Sequence, residues 1–256
     1  MLRYLRNTSI EKTIKSNLYF LLISDKIIEL FKFLLPYERD WIFFRSYKIP
    51  KKSSIIDIGA HWGESAITFR KFYPKNKIYS FEPNSYAFKR LKKNTKKLDI
   101  ELFNFGISKN GVKEMYFPYY NNNQLSLWGS QNLKNLKERI NQYTYINCKT
   151  IKFKKIKCYF RSLPKIDEKI SIIKIDVEGE EYNVIKIIKN ILIKNKPLIF
   201  IEYNSNNFRK IFSFLRRKKY KAYYFENNNL INITNVKSIN NVIELRKKRT
   251  INIIFN

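Results

Sequence analysis

From residue 53 onward, short apolar runs alternate with segments in helical spacing. "SSIIDIGA" is a continuous apolar run that ends at a glycine, the pattern of a strand buried on both faces. "GESAITFRKFYP" follows, with Ala66, Phe69, Arg70 and Tyr73 at helical intervals, and it stops at Pro74. "KIYSFEP" predicts a second strand, "SYAFKRLKKNTKKL" a second helix and "IELFNFGI" a third strand. This βαβαβ order predicts an α/β fold built on a doubly wound, mostly parallel sheet.

The rhythm loosens between about residues 109 and 160. That stretch predicts a β-rich insertion with a loop or short helix near residues 121 to 143. Regular order resumes with the strand "SIIKIDVEG", the helix "EEYNVIKIIKNILIKN", the strand "PLIFIEYN" and the helix "NFRKIFSFLRRK". "YKAYYFENNNLIN" predicts a hairpin turning at Asn227 to Asn229, and "RTINIIFN" a final strand. Residues 1–50 read as an N-terminal helical cap closed by Pro50, so the main domain spans 51–256. Within the cap, "LYFLLISDKIIELFKFLL" is broken by Asp25, Lys26, Glu29 and Lys32. A spanning helix needs about 20 mostly apolar residues, so this run predicts an amphipathic helix packed on the domain. A membrane-surface helix is the alternative. The first residues lack the apolar core and small-residue site of a signal peptide, and a cytoplasmic protein is expected.

Composition changes this picture in one respect. A 44% hydrophobic and 16% aromatic content excludes wholesale disorder. The net charge of +30, from 51 Lys and Arg against 21 Asp and Glu, invites a nucleic-acid or anionic-membrane partner. The basic residues, however, are spread along the whole chain, among many Asn, Ile, Tyr and Phe, as an AT-rich coding sequence produces. Cys148 and Cys158 have no zinc-type spacing and neither demand nor exclude a disulfide.

In an open parallel sheet, ligands sit beyond the carboxyl ends of the strands. "DIGAHWG" ends the first strand with Gly59 and Gly63, which let a ligand approach the backbone. It is not the dinucleotide fingerprint, because His61 and Glu64 stand where further glycines would be needed. Such a turn suits a nucleoside without phosphates. Glu82 ends the second strand, where a carboxylate can accept hydrogen bonds from both ribose hydroxyls.

Together, "IIDIGAHWG", "FEPN", "FNFGIS", "IKIDVEGEEYNVI" and "PLIFIEYN" resemble the FkbM family of S-adenosylmethionine-dependent methyltransferases. The resemblance covers about residues 53 to 205. It implies a Rossmann-like class I methyltransferase fold and O-methylation of a sugar, glycan or related small-molecule hydroxyl. It also implies site residues. Asp57, Gly59, Ala60 and Gly63 would form the turn around the methionine part of the cofactor, and Glu82 would hold the ribose. Asn84 would order the following loop, and Asn104 to Ile107, including Gly106, would border the adenine. His61, the only histidine, departs from the family's usual Asn and could line the pocket or act as a base.

Four carboxylates crowd into "IIKIDVEGEEY". Glu180 and Glu181 are expected in the first turn of a helix, where negative charge suits the dipole, which accounts for Glu180. The resemblance makes Glu181 the last acid of the family block, in a supporting role that orients its neighbours. Asp176 and Glu178 precede the helix, at the strand end where a methyl acceptor would lie. Asp176, Glu178 and the strand-ending Glu202 are the candidate catalytic residues. They could take a proton from the acceptor hydroxyl or hold Mg²⁺ that acidifies it. An RNA ribose 2′-O-methyltransferase is the alternative activity. It would call for a lysine base, and Lys174 lies within the strand instead of at its end. A noncatalytic nucleic-acid- or membrane-binding protein on the same scaffold is the alternative outside enzymes. Tyr119, Tyr120 and Trp128 of the insertion could stack on sugar faces or be core.

Overall fold

The computed structural model describes residues 39–120, 123–126, 128–143, 151–236, 238–239 and 251–256. The expected amphipathic N-terminal helix and Cys148 lie outside the described residues. Two compact units are distinguished: the larger comprises Tyr37–Gly111 and Tyr159–Asn256, and the described part of the smaller falls within Val112–Cys158.

In the larger unit, β1 (Ser54–Ile58), α1 (Glu64–Phe72), β2 (Lys77–Phe81), α2 (Ser85–Thr95) and β3 (Glu101–Phe103) follow in the order the hydrophobic pattern predicts. Further along come β8 (Ile170–Ile175), α4 (Glu181–Ile187), α5 (Lys189–Asn195), β9 (Leu198–Glu202), α6 (Ser205–Arg217), β10 (Ala222–Glu226), β11 (Asn229–Ile233) and β12 (Asn252–Phe255). Eight strands form one sheet in the order β11-β10-β12-β9-β8-β1-β2-β3. The pairs from β3 to β9 are parallel, while β12 lies antiparallel between β9 and β10.

Both faces of this sheet are covered, which is why its central strands are apolar without interruption. Ile56, Ile58, Ile173, Ile175, Ile199 and Ile201 point to one face, where Val184, Ile185, Phe208, Ile211 and Leu215 of the helices meet them. Ile55, Ile172, Leu198 and Phe200 point to the other face, against Phe69 of α1 and Trp41 and Phe44 of a 3-10 helix, Arg39–Arg45. The Trp41 ring lies 4.9 Å from Phe69 and 5.0 Å from Phe200, centroid to centroid. Asp40 fastens the same short helix by accepting from the backbone N–H of Asn252 at 3.0 Å.

Two elements differ from the sequence reading. "IELFNFGI" is not one strand. It divides into β3 and β4 (Gly106–Ile107), and β4 pairs with Phe160 and Arg161 at the end of β7 (Lys152–Arg161) in a second sheet. Asn104 turns the chain there, donating to the Glu82 carbonyl at 2.9 Å and accepting from the Ser85 hydroxyl at 3.1 Å. The long helix after β8 is interrupted at Ile188, which separates α4 from α5. The hairpin β10–β11 turns where expected, with Asn227 and Asn228 both at positive φ, as a type I′ turn requires.

The smaller unit contains most of β5 (Gly111–Tyr120), β6 (Asn123–Gln124), α3 (Leu133–Tyr143) and the first part of β7. Leu125, Leu136, Ile140 and Ile151 form its core, with Tyr116, Trp128 and Phe153 packed against them. Trp128 is therefore core-packed. Tyr119 lies beneath the Lys154 ammonium at 4.6 Å, and Tyr120 pairs with Asn123 at the end of the hairpin.

Candidate functional site

The carboxyl ends of β1, β2 and β8 are joined by the backbone. Gly59 and Ala60 both donate to the Phe81 carbonyl, at 2.9 and 3.0 Å, and Asp176 donates to the Ile58 carbonyl at 3.1 Å. Gly59 has φ +81, and a Cβ there would stand 1.8 Å from the Asp176 carbonyl oxygen. Glycine is thus demanded by the contact of two strand ends as well as by the turn. Gly63, at φ +98, occupies the N-cap position of α1, and a Cβ there would crowd Leu91 of α2 at 2.9 Å.

Glu82 follows β2 and is buried. Its Oε1 accepts from the Asn84 N–H at 2.8 Å and its Oε2 from the His61 N–H at 2.9 Å. Each carboxylate oxygen has a further lone pair, so the two together suit a vicinal diol. Burial pushes this carboxyl above its ordinary range, opposed by His61 and by the two backbone donors. Asn84 caps α2 by accepting from the Tyr86 N–H at 3.1 Å. Together Asn84 and Asn104 support Glu82 and the chain around it. Gly106 has a packing reason for lacking a side chain: a Cβ there would meet the Phe160 ring at 2.5 Å.

His61 has φ +48, a left-handed conformation that Asn also tolerates. Its ring stacks on Trp62 at 4.7 Å, and its Nδ1 lies 3.7 Å from Glu64. Burial alone would lower the imidazole pKa, but Glu64, Glu82 and Asp176 outweigh it and hold the ring above its ordinary value.

The main addition to the sequence reading is Lys174. It is buried in β8, directly opposite Asp57 in β1. Its Nζ donates to the Gly59 carbonyl at 2.6 Å and stands 3.4 Å from Asp57 and 3.5 Å from Asp176. Burial opposes its charge, but Asp176, Asp57 and Glu202 together hold the ammonium above its ordinary pKa. Asp57 is fully buried and accepts from the Ser65 and Ser80 hydroxyls at 2.7 and 3.3 Å. Desolvation raises its pKa, while Lys174 and Ser65 pull it back. The strand period carried the signal for Lys174. Residues 174 and 176 share a face, and in a parallel pair so does the residue opposite 174. A lysine in an otherwise apolar strand, flanked that way by acids, marks a buried ion pair.

Asp176 is partly exposed at the end of β8. Glu178 is exposed and has φ +54, a strained conformation for a residue with a Cβ. Glu181 is buried and staples this turn: its Oε1 accepts from the Gly179 N–H at 2.7 Å, and its Oε2 from Asn207 at 3.1 Å. Asn207, on α6, also donates to the Gly179 carbonyl. Glu180 takes the N-cap position, one residue earlier than the sequence reading placed it. Glu202 ends β9 and acts on Lys174 through its charge. Among the described residues, no group of three or more His, Cys, Asp or Glu side chains is placed to hold a metal ion. Asp176, Glu178 and Glu202 are thus not gathered into the expected Mg²⁺ site. Lys174 already supplies a positive charge beside Asp176.

A parallel sheet closed by an antiparallel last strand, with a glycine turn after its first strand and a buried carboxylate after its second, defines a Rossmann-like class I methyltransferase fold. Within that class, the chain belongs to the FkbM methyltransferase family: the model of the Methyltransferase FkbM domain matches residues 57–222. It is similar to 2-O-methyltransferase NoeI of Sinorhizobium fredii (strain NBRC 101917 / NGR234), at 27% identity over 157 residues, 59% of this chain and 63% of NoeI. Methyltransferase FkbM from Methylobacillus flagellatus KT shares the fold, with a TM-score of 0.52 at 14% identity, over 86% of this chain and 48% of that one. The chain spans less than two thirds of the length of either relative. Among the described residues, no helix is long and apolar enough to cross a membrane.

Proposed function

We propose that the chain transfers a methyl group from S-adenosylmethionine to a hydroxyl of a small molecule or glycan. The observation that carries this reading is the connection at one sheet end of a diol-binding carboxylate, Glu82, with a second carboxylate, Asp176, through the Gly59 turn and Lys174. Membership of the FkbM family and the likeness to a 2-O-methyltransferase support it.

Gly59, Ala60, His61 and Gly63 would border the methionine part of the cofactor, and Glu82 would receive the ribose hydroxyls. Asn84 and Asn104 keep Glu82 in place, and Asn104 to Gly106 would bound the adenine. Asp57 contributes from beneath, through Ser65 and Lys174. The bound cofactor supplies an electrophilic methyl carbon on a sulfonium. Asp176 then takes the proton that the acceptor hydroxyl loses, becoming a neutral carboxylic acid. Glu178, at the exposed turn, would border the acceptor, and Glu202 acts on the cluster through its charge on Lys174.

The RNA alternative asks for a lysine base, and the Lys174 ammonium does reach the Gly59 turn and Asp176. Three carboxylates hold it protonated, which suits an anchoring cation better than a base.

The test is calorimetry with S-adenosylmethionine, followed by tritiated-methyl transfer to a glycan panel and to RNA. Cofactor binding with transfer to glycans or small hydroxyl compounds is expected. Absence of cofactor binding would overturn the reading, and transfer to RNA alone would establish the alternative. The same assay after chelation decides the metal question: undiminished transfer removes Mg²⁺.

A further inference from the structure

Among the described residues, Lys174 is the only lysine in the buried class, in a chain whose other basic residues are spread freely. A coding bias adds lysine where water can solvate it and gives no reason to bury one. The Lys174 ammonium has three protons to donate. One goes to the Gly59 carbonyl, and the remaining charge faces Asp57 and Asp176.

Resting on the cofactor-site reading above, we infer that Lys174 is a positioning residue that couples the cofactor turn to the acceptor-side carboxylate, by holding the Gly59 carbonyl while standing between Asp57 and Asp176. The turn and Asp176 share one buried cation and one backbone contact, since a Cβ on Gly59 would strike the Asp176 carbonyl. Removing the ammonium leaves the Gly59 carbonyl without its charged donor. It also leaves two carboxylates facing each other across the emptied position, and their repulsion displaces the turn. Lys174 therefore governs cofactor affinity through the turn and need not touch the cofactor.

The probe is S-adenosylhomocysteine in calorimetry, because it lacks the sulfonium charge, so a loss of affinity reports position more than net charge. Lys174→Met is expected to weaken binding at least ten-fold, and Lys174→Gln, which keeps a donor for the Gly59 carbonyl, by less. Asp176→Asn alone is expected to leave affinity within a few-fold. Added to Lys174→Met, it is expected to recover at least three-fold, because it relieves the repulsion from Asp57. That recovery is a readout a merely structural strut would not give. Should Lys174→Met fail to fold, Asp57→Asn with Lys174→Met also removes the repulsion between the two carboxylates, so only the lost donor to Gly59 remains and a loss of about three-fold is expected. Binding by Lys174→Met within two-fold of wild type, or effects of the two substitutions that simply multiply, would overturn the inference alone. A wild-type protein that does not bind the probe would overturn the functional reading and this inference with it.

Discussion

Glu82→Gln tests the cofactor site at its most defined point. The substitution preserves shape and replaces one oxygen with an NH₂ group. Both oxygens accept from backbone N–H groups, those of Asn84 and His61, so whichever way the amide turns, one donor meets another donor. Leaving a buried N–H unsatisfied costs about 1–3 kcal/mol. Part of that is offset, because burial disfavours the ionised carboxylate and a neutral amide escapes the penalty. The net loss of stability is then about 1–2 kcal/mol, read as a lower urea midpoint at unchanged slope. The effect on ligand is larger. A hydrogen bond to a charged group is worth about 1.5–3 kcal/mol, so losing one ribose bond weakens binding about ten- to a hundred-fold. Calorimetry with adenosine and with 2′,3′-dideoxyadenosine separates the two effects. Wild type should prefer adenosine, and Glu82→Gln should lose most of that preference while binding the dideoxy compound nearly as before. A variant that keeps the preference, or that loses both ligands equally, would refute the ribose role of Glu82.

Asp176→Ala should lower methyl transfer by at least about a hundred-fold, the lower range for a general base, with S-adenosylmethionine affinity within a few-fold in calorimetry; near-normal turnover would sink the catalytic assignment. His61 has a folded pKa above the ordinary 6.5, so its stabilising contribution is complete below pH 6.5 and is lost as pH rises through the folded value. His61→Asn, which fits the left-handed turn, should remove that loss in urea midpoints compared at pH 6 and pH 8; equal slopes in both proteins would contradict the argument. Gly106→Ala should destabilise by about 1–3 kcal/mol through overpacking on Phe160, and Phe160→Leu in the same chain should recover part of it in thermal unfolding.

Much of the candidate site was legible because its residues sit at strand ends, where a period-2 run meets a glycine or an acid. Asp57, Gly59, Glu82 and Asp176 are found that way, and each stands within the β1, β2 and β8 end region. Lys174 lies within β8, as its place along the chain indicates, but that place alone does not show where its ammonium goes. Its ammonium reaches the strand end only because a long side chain follows the strand toward Gly59. For Glu181 the family block indicates a supporting role, but not its partner: Asn207, 26 residues away, helps make it the buried staple of the acidic turn.

By itself, the sequence determined the alternation of strands and helices, the two-faced burial of the central strands, and the order in which the glycine turn, Glu82 and the acidic block appear. These depend on local periodicity and on residue types that tolerate special backbone angles. Tertiary structure alone decided that β12 enters the sheet antiparallel between β9 and β10. It alone decided that "IELFNFGI" breaks between two sheets, and that Asp57, Lys174 and Asp176 form one charge cluster. Those outcomes depend on which strands become neighbours. Hydrogen-bond pairing and charge desolvation act between residues from tens to more than a hundred positions apart, and no local pattern encodes their distance.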